Sequence, residues 1–344
     1  MLHRILCAAA ATGLLTTTPA MAVAAEPSAH CQDVTVPVSI AQGQPDRYRI
    51  WGRLCTPGHR PATTVQVLVP GLNYGHLYWD FPLRSRHYSY VRQANHAGYA
   101  TFNLDRIGVG HSSHPSSAEA TMESNAYTIH QVVAALRRGT IAGRAFGTVT
   151  LVGHSYGSKI AQLEASVYRD VDALVLTGDA HRISARAERL LAQLGQPVGQ
   201  VPRLAAEVPP GDEGYVTVQD AQRPEFMYEP SDADPQVITL DIATKETNTL
   251  AELSTIGDAD VPGVTAKLEL PILIADGADD ELACAPDATD CSSAATLAAA
   301  EQPFYPRTHV DAVVIPRAGH AINLHRNAAL AYRGIIAWID RVLG

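Results

Sequence analysis

The sequence predicts an α/β fold, in which helices cover both faces of a mostly parallel central sheet. Short apolar runs, mostly β-branched, alternate with segments of helical periodicity and end close to Gly, Asp or Pro. Buried parallel strands joined by helices have this pattern. The predicted strands are 65–69, 100–104, 149–152, 173–176, 272–274 and 310–315, and the predicted helices include 124–138, 160–167 and the tail from residue 326.

Composition is that of an ordinary globular protein. The 344 residues are 46% hydrophobic and 18% charged, which argues against a disordered chain or a multi-span membrane protein. The formal net charge is −9, so the basic surface that binds nucleic acid is not expected.

Residues 1–25 are predicted to be a secretory signal peptide. Arg4 is followed by an apolar run at 5–15 and then by two overlapping A-x-A sites at 20–22 and 22–24. A membrane anchor needs about 20 apolar residues, so this run is too short to span a bilayer. We therefore expect a secreted, extracellular protein without stable membrane insertion, cleaved near residues 22–25.

Cleavage leaves four cysteines, an even number that suits an oxidising compartment. Four cysteines allow three connectivities, and we favour the local pairs Cys31–Cys55 and Cys284–Cys291, because each flanks a segment able to bring its ends together. A metal site is the alternative, but the sequence has no C-x-x-C and no paired histidine beside the cysteines.

Residues 181–270 interrupt the alternation of strands and helices. A predicted helix at 183–194 is followed by connections rich in Pro, Gly and Asp and by a second predicted helix at 234–247. So long an insertion between two core strands is better interpreted as a cap over the carboxyl edge of the sheet than as a structureless loop. The catalytic domain is then 26–180 together with 271–344.

The segment 149–158, V-T-L-V-G-H-S-Y-G-S, contains a G-x-S-x-G motif between a predicted strand and a predicted helix. This context is the one in which the motif forms a sharp turn that exposes a nucleophilic serine. Gly153 and Gly157 flank Ser155 because so tight a turn leaves no room for side chains. His154 is a sequence neighbour of Ser155, so we expect it to project away and to pack the turn.

With this motif the chain resembles the α/β-hydrolase superfamily, over nearly all of its mature length. More narrowly, it is similar to secreted microbial hydrolases whose oxyanion loop carries the run Tyr78-Trp79-Asp80-Phe81-Pro82. The segment 105–110, D-R-I-G-V-G, also matches the D-R-x-G-x-G turn of the superfamily. The resemblance implies an α/β-hydrolase fold with an inserted helical cap and a Ser–acid–His order of catalytic residues.

His320 is the predicted base. It ends the loop P-R-A-G-H after the strand at 310–315, and that loop lies at the same edge of the sheet as Ser155. His325 is not expected on the same face.

The predicted acid lies in the loop D-G-A-D-D-E at 276–281. Resemblance to the G-x-x-D signature of the superfamily selects Asp280, and the narrower group also has a cysteine four residues later, here Cys284. Asp279 is the nearest rival. Asp179, after the preceding strand, is a third candidate because some members take the acid from there.

The predicted oxyanion hole consists of two backbone N–H groups. Tyr156 supplies one, directly after the nucleophile, and the loop after the strand at 65–69 supplies the other. Leu72 matches the residue that follows the His-Gly pair of the superfamily, although Pro70 replaces that histidine here. Candidates to line the pocket, or to pack beneath the cap, are Tyr74, His76 and Tyr78.

These features predict a serine hydrolase that cleaves a carboxylic ester of a small to medium, largely apolar molecule through an acyl-enzyme. No cofactor is implied, and the absence of H-E-x-x-H from the sequence argues against a catalytic metal. A lactonase, a thioesterase or an acyltransferase would use the same triad. A non-catalytic binding member of the fold would be expected to lack at least one triad residue, and all three positions are filled.

Overall fold

The computed structural model describes residues 29–58, 60–191, 195–260 and 263–344. The predicted signal peptide at 1–25 lies outside these residues, as does the end of the predicted helix at 192–194.

The strands of the described chain form one large sheet and one small sheet. Their bounds are β1 His30–Val38, β2 Tyr48–Thr56, β3 Thr64–Val69, β4 Ala100–Leu104, β5 Thr148–His154, β6 Ala173–Thr177, β7 Gln196–Pro197, β8 Tyr215–Thr217, β9 Asn248–Thr249, β10 Ile272–Gly277 and β11 Val310–Ile315. The large sheet is eight-stranded, in the order β1-β2-β4-β3-β5-β6-β10-β11. In this sheet β2 pairs antiparallel with both of its neighbours, β1 and β4. All other neighbouring strands of the sheet pair parallel. The predicted α/β class and mostly parallel sheet are confirmed.

The helices of the described residues lie between strands along the chain, and the last one follows β11. The α-helices are α1 Ser85–Tyr88, α2 Tyr90–His96, α3 Met122–Arg138, α4 Tyr156–Tyr168, α5 Ala185–Leu191, α6 Pro202–Ala205, α7 Arg223–Met227, α8 Pro235–Ala243, α9 Leu250–Ser254, α10 Ala294–Glu301 and α11 Ala328–Leu343. Short 3-10 helices span His76–Tyr78, Val198–Gln200, Ile256–Asp260, Thr265–Lys267, Gln302–Phe304 and Ile322–Leu324. None of the helices in the described residues is long and apolar enough to cross a bilayer.

The core lies on both faces of the sheet. Every residue of β3, β4, β6 and β10 is buried, as expected of parallel strands covered on both sides. Helices α2 and α11 contact each other in one layer, and α3 contacts α4 in another. This arrangement leaves the carboxyl ends of β3, β5, β10 and β11 at one edge, where loops can carry functional side chains.

Both predicted disulfides are confirmed. Cys31 and Cys55 are direct partners across β1 and β2, with their Cα atoms 4.0 Å apart. Cys284 and Cys291 close a loop after β10, with a Cα–Cα distance of 5.3 Å.

Several predicted helix bounds were wrong. Helix α3 begins at Met122 rather than residue 124, because Thr121 and Ser124 cap its first turn reciprocally. Helix α8 ends at Ala243 rather than residue 247, because Asn248 and Thr249 pair with β8. The segment between β6 and β10 thus contains α5–α9 and a three-stranded antiparallel sheet, β7-β8-β9, which the sequence did not predict.

Candidate active site

Ser155 lies at a sharp turn between β5 and α4. Its backbone has φ 53° and ψ −120°, a conformation unusual for a residue with a side chain. A Cβ on Gly153 would lie 2.5 Å from the Gly157 carbonyl oxygen, and one on Gly157 would lie 2.2 Å from the Val69 carbonyl oxygen. Only glycine fits at either position, so the motif supplies what this turn requires. The Ser155 N–H donates to the Thr177 carbonyl at 2.7 Å, which fixes the turn against β6.

His320 and Asp280 come from the loops after two neighbouring strands, β11 and β10. His320 Nδ1 lies 2.8 Å from Asp280 Oδ2, and both side chains are buried. The other carboxylate oxygen of Asp280 accepts from the backbone N–H of Leu282 at 2.9 Å. A carboxylate held in this way orients the imidazole and favours the tautomer with the proton on Nδ1, which leaves Nε2 to accept a proton.

Gly178 lies between the turn that carries Ser155 and the loop that carries His320. It follows Thr177, whose carbonyl receives the Ser155 N–H, and a Cβ on Gly178 would lie 3.2 Å from Cε1 of His320. Its φ of 58° also favours glycine. The loops carrying Ser155 and His320 therefore meet at this glycine, at the carboxyl edge of the sheet.

The alternative acids lie in other surroundings. Asp279 is exposed. Asp179 lies 3.2 Å from Lys159 Nζ, and Gln162 also donates to it. A fourth carboxyl, Asp276, is buried beside Asp280, and burial followed by the charge of Asp280 raises the pKa of Asp276 well above its usual value. Burial therefore disfavours the charged form of Asp276, and the contact with the imidazole is made by Asp280.

His154 packs the turn. Its ring stacks on Tyr78 with centroids 4.1 Å apart, and its Nδ1 lies 3.2 Å from Thr177 Oγ1. Burial, with a smaller contribution from His320, lowers the pKa of His154 well below its usual value. A neutral ring stacked in this position agrees with the packing role predicted from the sequence.

The predicted oxyanion donors lie on two segments that approach each other at Ser155. A Cβ on Gly71 would lie 3.1 Å from Cβ of Ser155, so the loop that carries Leu72 runs beside the nucleophile. Tyr156 is the first residue of α4, where the N–H groups have no intrahelical acceptor. Within the described residues, no acceptor receives the N–H of Leu72 or of Tyr156. Both donors are therefore available to an anion.

Arg106 braces this loop where Pro70 replaces the histidine of the superfamily. Its Nε–H donates to the Pro70 carbonyl at 3.0 Å and its Nη2 to the Gly71 carbonyl at 3.3 Å. Its guanidinium also lies 5.0 Å from the ring centroid of Tyr156 and pairs with Glu252, with both charged groups buried. One buried cation thus contacts the segments that carry both predicted donors.

Sequence reasoning missed this role of Arg106. The D-R-x-G-x-G segment at 105–110 indicates a turn of the superfamily and, by itself, assigns no role to its arginine. The arginine inside the motif was the available signal, since a fully buried guanidinium needs several acceptors.

The aromatic side chains of the oxyanion loop divide into two groups. Tyr74 and Tyr78 lie beside His154, with their own ring centroids 4.7 Å apart. His76 Nδ1 instead lies 2.9 Å from Asp105 Oδ1, and the His76 ring centroid lies 4.5 Å from that of Trp51. Tyr74 and Tyr78 are therefore beside the site, and His76 belongs to a separate polar cluster.

The segment between β6 and β10 contacts the loop of His320 directly. The N–H of Ala321 donates to the carbonyl of Met227, at the end of α7, at 2.8 Å. His325 Nε2 accepts from the N–H of Gly319 at 3.0 Å and from that of Glu229 at 2.9 Å. His325 thus holds this loop against the inserted segment.

Comparison with known proteins agrees with this architecture. Residues 66–331 match the model of the alpha/beta hydrolase family, and the chain belongs to that family. No curated protein sequence matches it significantly.

Solved structures share the fold at low sequence identity. A soluble variant of monoglyceride lipase from Saccharomyces cerevisiae is 14% identical, with a TM-score of 0.61 over 90% of this chain and 96% of that one. A thermostable carboxyl esterase from Bacillus coagulans is 17% identical, with a TM-score of 0.60 over 91% and 99%. An epoxide hydrolase from Vigna radiata is 15% identical, with a TM-score of 0.59 over 90% and 98%. These likenesses establish the fold, so the reaction must be argued from the site.

Proposed function

We propose that the protein is a secreted serine hydrolase that cleaves carboxylic esters of small to medium, largely apolar molecules. The observation that carries the proposal is the 2.8 Å contact between His320 and Asp280 beside the strained turn of Ser155. No cofactor takes part in the proposed reaction.

In the proposed reaction Ser155 Oγ attacks the ester carbonyl carbon while Nε2 of His320 accepts the hydroxyl proton. The negative charge that develops on the carbonyl oxygen is stabilised by the N–H groups of Leu72 and Tyr156. Asp280 stabilises the imidazolium, which then protonates the leaving alcohol. Water attacks the acyl-enzyme with His320 again as base, which releases the carboxylic acid and restores Ser155.

The serine supports hydrolysis of esters over hydrolysis of epoxides. Epoxide hydrolases and haloalkane dehalogenases of this superfamily use an aspartate as nucleophile, whereas this chain has Ser155 at the turn. The contact of Met227 with the His320 loop supports a cap formed by residues 181–270, and a capped site favours small substrates over polymers.

The test is the Ser155→Ala variant of the mature protein. It should lose both hydrolysis of short-chain aryl esters and labelling by a fluorophosphonate probe, while the circular dichroism spectrum stays that of the wild type. Ser254→Ala, at an exposed serine of α9, is the matched control and should keep both activities. Labelling of the Ser155→Ala protein at the wild-type rate would reject Ser155 as nucleophile. Rates across ester chain lengths, lactones and thioesters then identify the substrate class.

A further inference from the structure

A second cluster of functional groups lies away from the candidate active site. His130 is in the middle of α3, Glu164 is near the end of α4, and Asp170 follows α4 in the connection to β6. Ser155 lies just before the other end of α4. The nine steps along the helix from Ser155 to Glu164 correspond to about 14 Å, so the cluster is separate from the proposed triad.

The three side chains direct ligand atoms toward one another. His130 Nδ1 lies 2.7 Å from Asp170 Oδ2 and 4.0 Å from Glu164 Oε1. One ligand atom from each residue can be chosen so that all lie within 4.8 Å of one another. Two atoms that bind the same Zn²⁺ at about 2.0–2.2 Å are at most about 4.4 Å apart. A cation between these groups needs only small side-chain adjustments.

Glu164 lacks the partners that a buried carboxyl needs. Its side chain is fully buried, and within the described residues neither of its oxygens has a hydrogen-bond donor. The guanidinium of Arg137 acts electrostatically on Glu164, but it is engaged with Asp172 at 2.6 Å and with the Asp170 carbonyl at 2.7 Å. Burial of an unpaired carboxylate is costly, and buried polar groups in folded proteins nearly always have a partner. A cation would supply the missing one.

We propose that His130, Glu164 and Asp170 form a binding site for a divalent transition-metal cation, and specifically for Zn²⁺. One imidazole nitrogen and two carboxylates suit Zn²⁺, whereas Ca²⁺ and Mg²⁺ prefer oxygen ligands alone. The cation takes the place of the contact between His130 and Asp170 and becomes the partner of the Glu164 carboxylate. The ring of His130 stacks on Tyr168 with centroids 4.0 Å apart, which holds the imidazole in position.

The site has a side open to solvent. The side chains of His130 and Asp170 are 30% and 21% exposed, whereas that of Glu164 is 0% exposed. A water molecule can therefore complete a tetrahedral shell from outside. Because the ligands come from α3, α4 and the connection to β6, the metal cross-links these elements and stabilises the folded state.

The test is calorimetric titration of the mature protein, dialysed against EDTA, with ZnCl₂. The wild type should bind one Zn²⁺ per chain, and its melting temperature should rise with the ZnCl₂ concentration. Glu164→Gln and Asp170→Asn should weaken binding at least tenfold and abolish the rise. His309→Gln removes a surface histidine that lies 3.7 Å from Asp311, and it should bind as the wild type does.

Three outcomes would overturn the proposal. These are the absence of saturable Zn²⁺ binding to the wild type, wild-type affinity in Asp170→Asn, and equally tight binding of CaCl₂ or MgCl₂. Circular dichroism checks that each variant folds. Asp170 is only partly buried, so its variant decides the question if Glu164→Gln does not fold.

Discussion

The guanidinium of Arg106 donates to the carbonyl oxygen of Pro70 at 3.0 Å. This bond holds the loop that carries Leu72, at the position where the superfamily has a histidine. The same side chain pairs with Glu252 and packs against the Tyr156 ring, so it is anchored on two further sides. The geometry of the proposed oxyanion hole thus depends on one buried cation that takes no part in the reaction.

Arg106→Lys should lower kcat by about 10²-fold with a smaller change in KM, since small displacements of groups around a reacting centre have effects of this size. Lysine keeps the charge but cannot donate to Pro70 and Gly71 at once while pairing with Glu252. Steady-state kinetics with an aryl ester measure the effect. Arg53→Lys, at a partly exposed ion pair with Asp33, is the control and should be unchanged. An unaltered kcat in Arg106→Lys would show that the loop does not need this brace.

Asp280→Asn should lower kcat by about 10⁴-fold, because an amide in this position favours the wrong tautomer of His320. Asp279→Asn changes an exposed side chain and should have little effect. The comparison of kcat for the two variants is the measurement. A larger loss in Asp279→Asn than in Asp280→Asn would mean that the acid is misassigned.

The two disulfides should affect different properties. Replacing both Cys31 and Cys55 with Ser should lower the melting temperature by about 5 °C, because about 3 kcal/mol of stability is lost. The value of kcat should not change, because these residues join β1 to β2 away from the site. Replacing Cys284 and Cys291 should lower kcat as well, since Cys284 donates its N–H to the carbonyl of Asp280 at 2.7 Å. Calorimetry and kinetics on the two double variants measure both effects. Equal kcat values for the two double variants would show that the Cys284–Cys291 disulfide does not support the loop that carries Asp280.

Glu246 should make stability depend on pH. The pKa of Glu246 is raised from 4.5 to about 8, mainly by burial. Arg203, with Nη1 3.5 Å from Glu246 Oε1, opposes this rise, and Glu207 and Asp105 add to it. Between these values the unfolded state loses the proton that the folded state keeps, so stability falls as pH rises from about 4.5 to about 8. The penalty above pH 8 is at most about 5 kcal/mol.

Glu246→Gln removes this penalty. Its melting temperature should therefore exceed that of the wild type at pH 8.5 by more than it does at pH 5. Thermal unfolding of the two proteins across this range measures the difference. A gap that is constant, or that narrows with rising pH, would contradict the assigned direction.

Much of the large sheet and of the helices around it was predictable because their sequence signals are local. The strands β4 and β11 have the bounds that the apolar runs predict, and Gly139 follows the predicted end of α3 at residue 138 in the left-handed conformation. The secondary structure of the inserted segment was harder to predict. Strands of two or three residues, such as Asn248–Thr249, carry no periodicity and form only because a partner strand lies beside them.

The residues of the candidate site also differ in whether local sequence signals predict them or the packing of the whole domain determines them. Ser155 and His320 follow strands that the sequence identifies, so their shared edge could be inferred before the structure. Among the aspartates, the resemblance to the superfamily selects Asp280, whereas the difference in burial between exposed Asp279 and buried Asp280 is a property of the folded chain. The role of Arg106 depended on Glu252, which is 146 residues away in sequence. Contacts across such a separation are set by packing of the whole domain and leave no local pattern.

The ion pair between Arg106 and Glu252 also limits how this enzyme scaffold can be redesigned. Glu252 belongs to α9, within the segment that would be exchanged to build a chimera with the specificity of a relative. A chimera without a carboxylate at position 252 would leave the buried guanidinium of Arg106 without its ion-pair partner, beneath the loop that carries Leu72. Grafts that retain Glu252, or that replace it together with Arg106, are the ones in which a new binding region and an intact reaction centre are compatible.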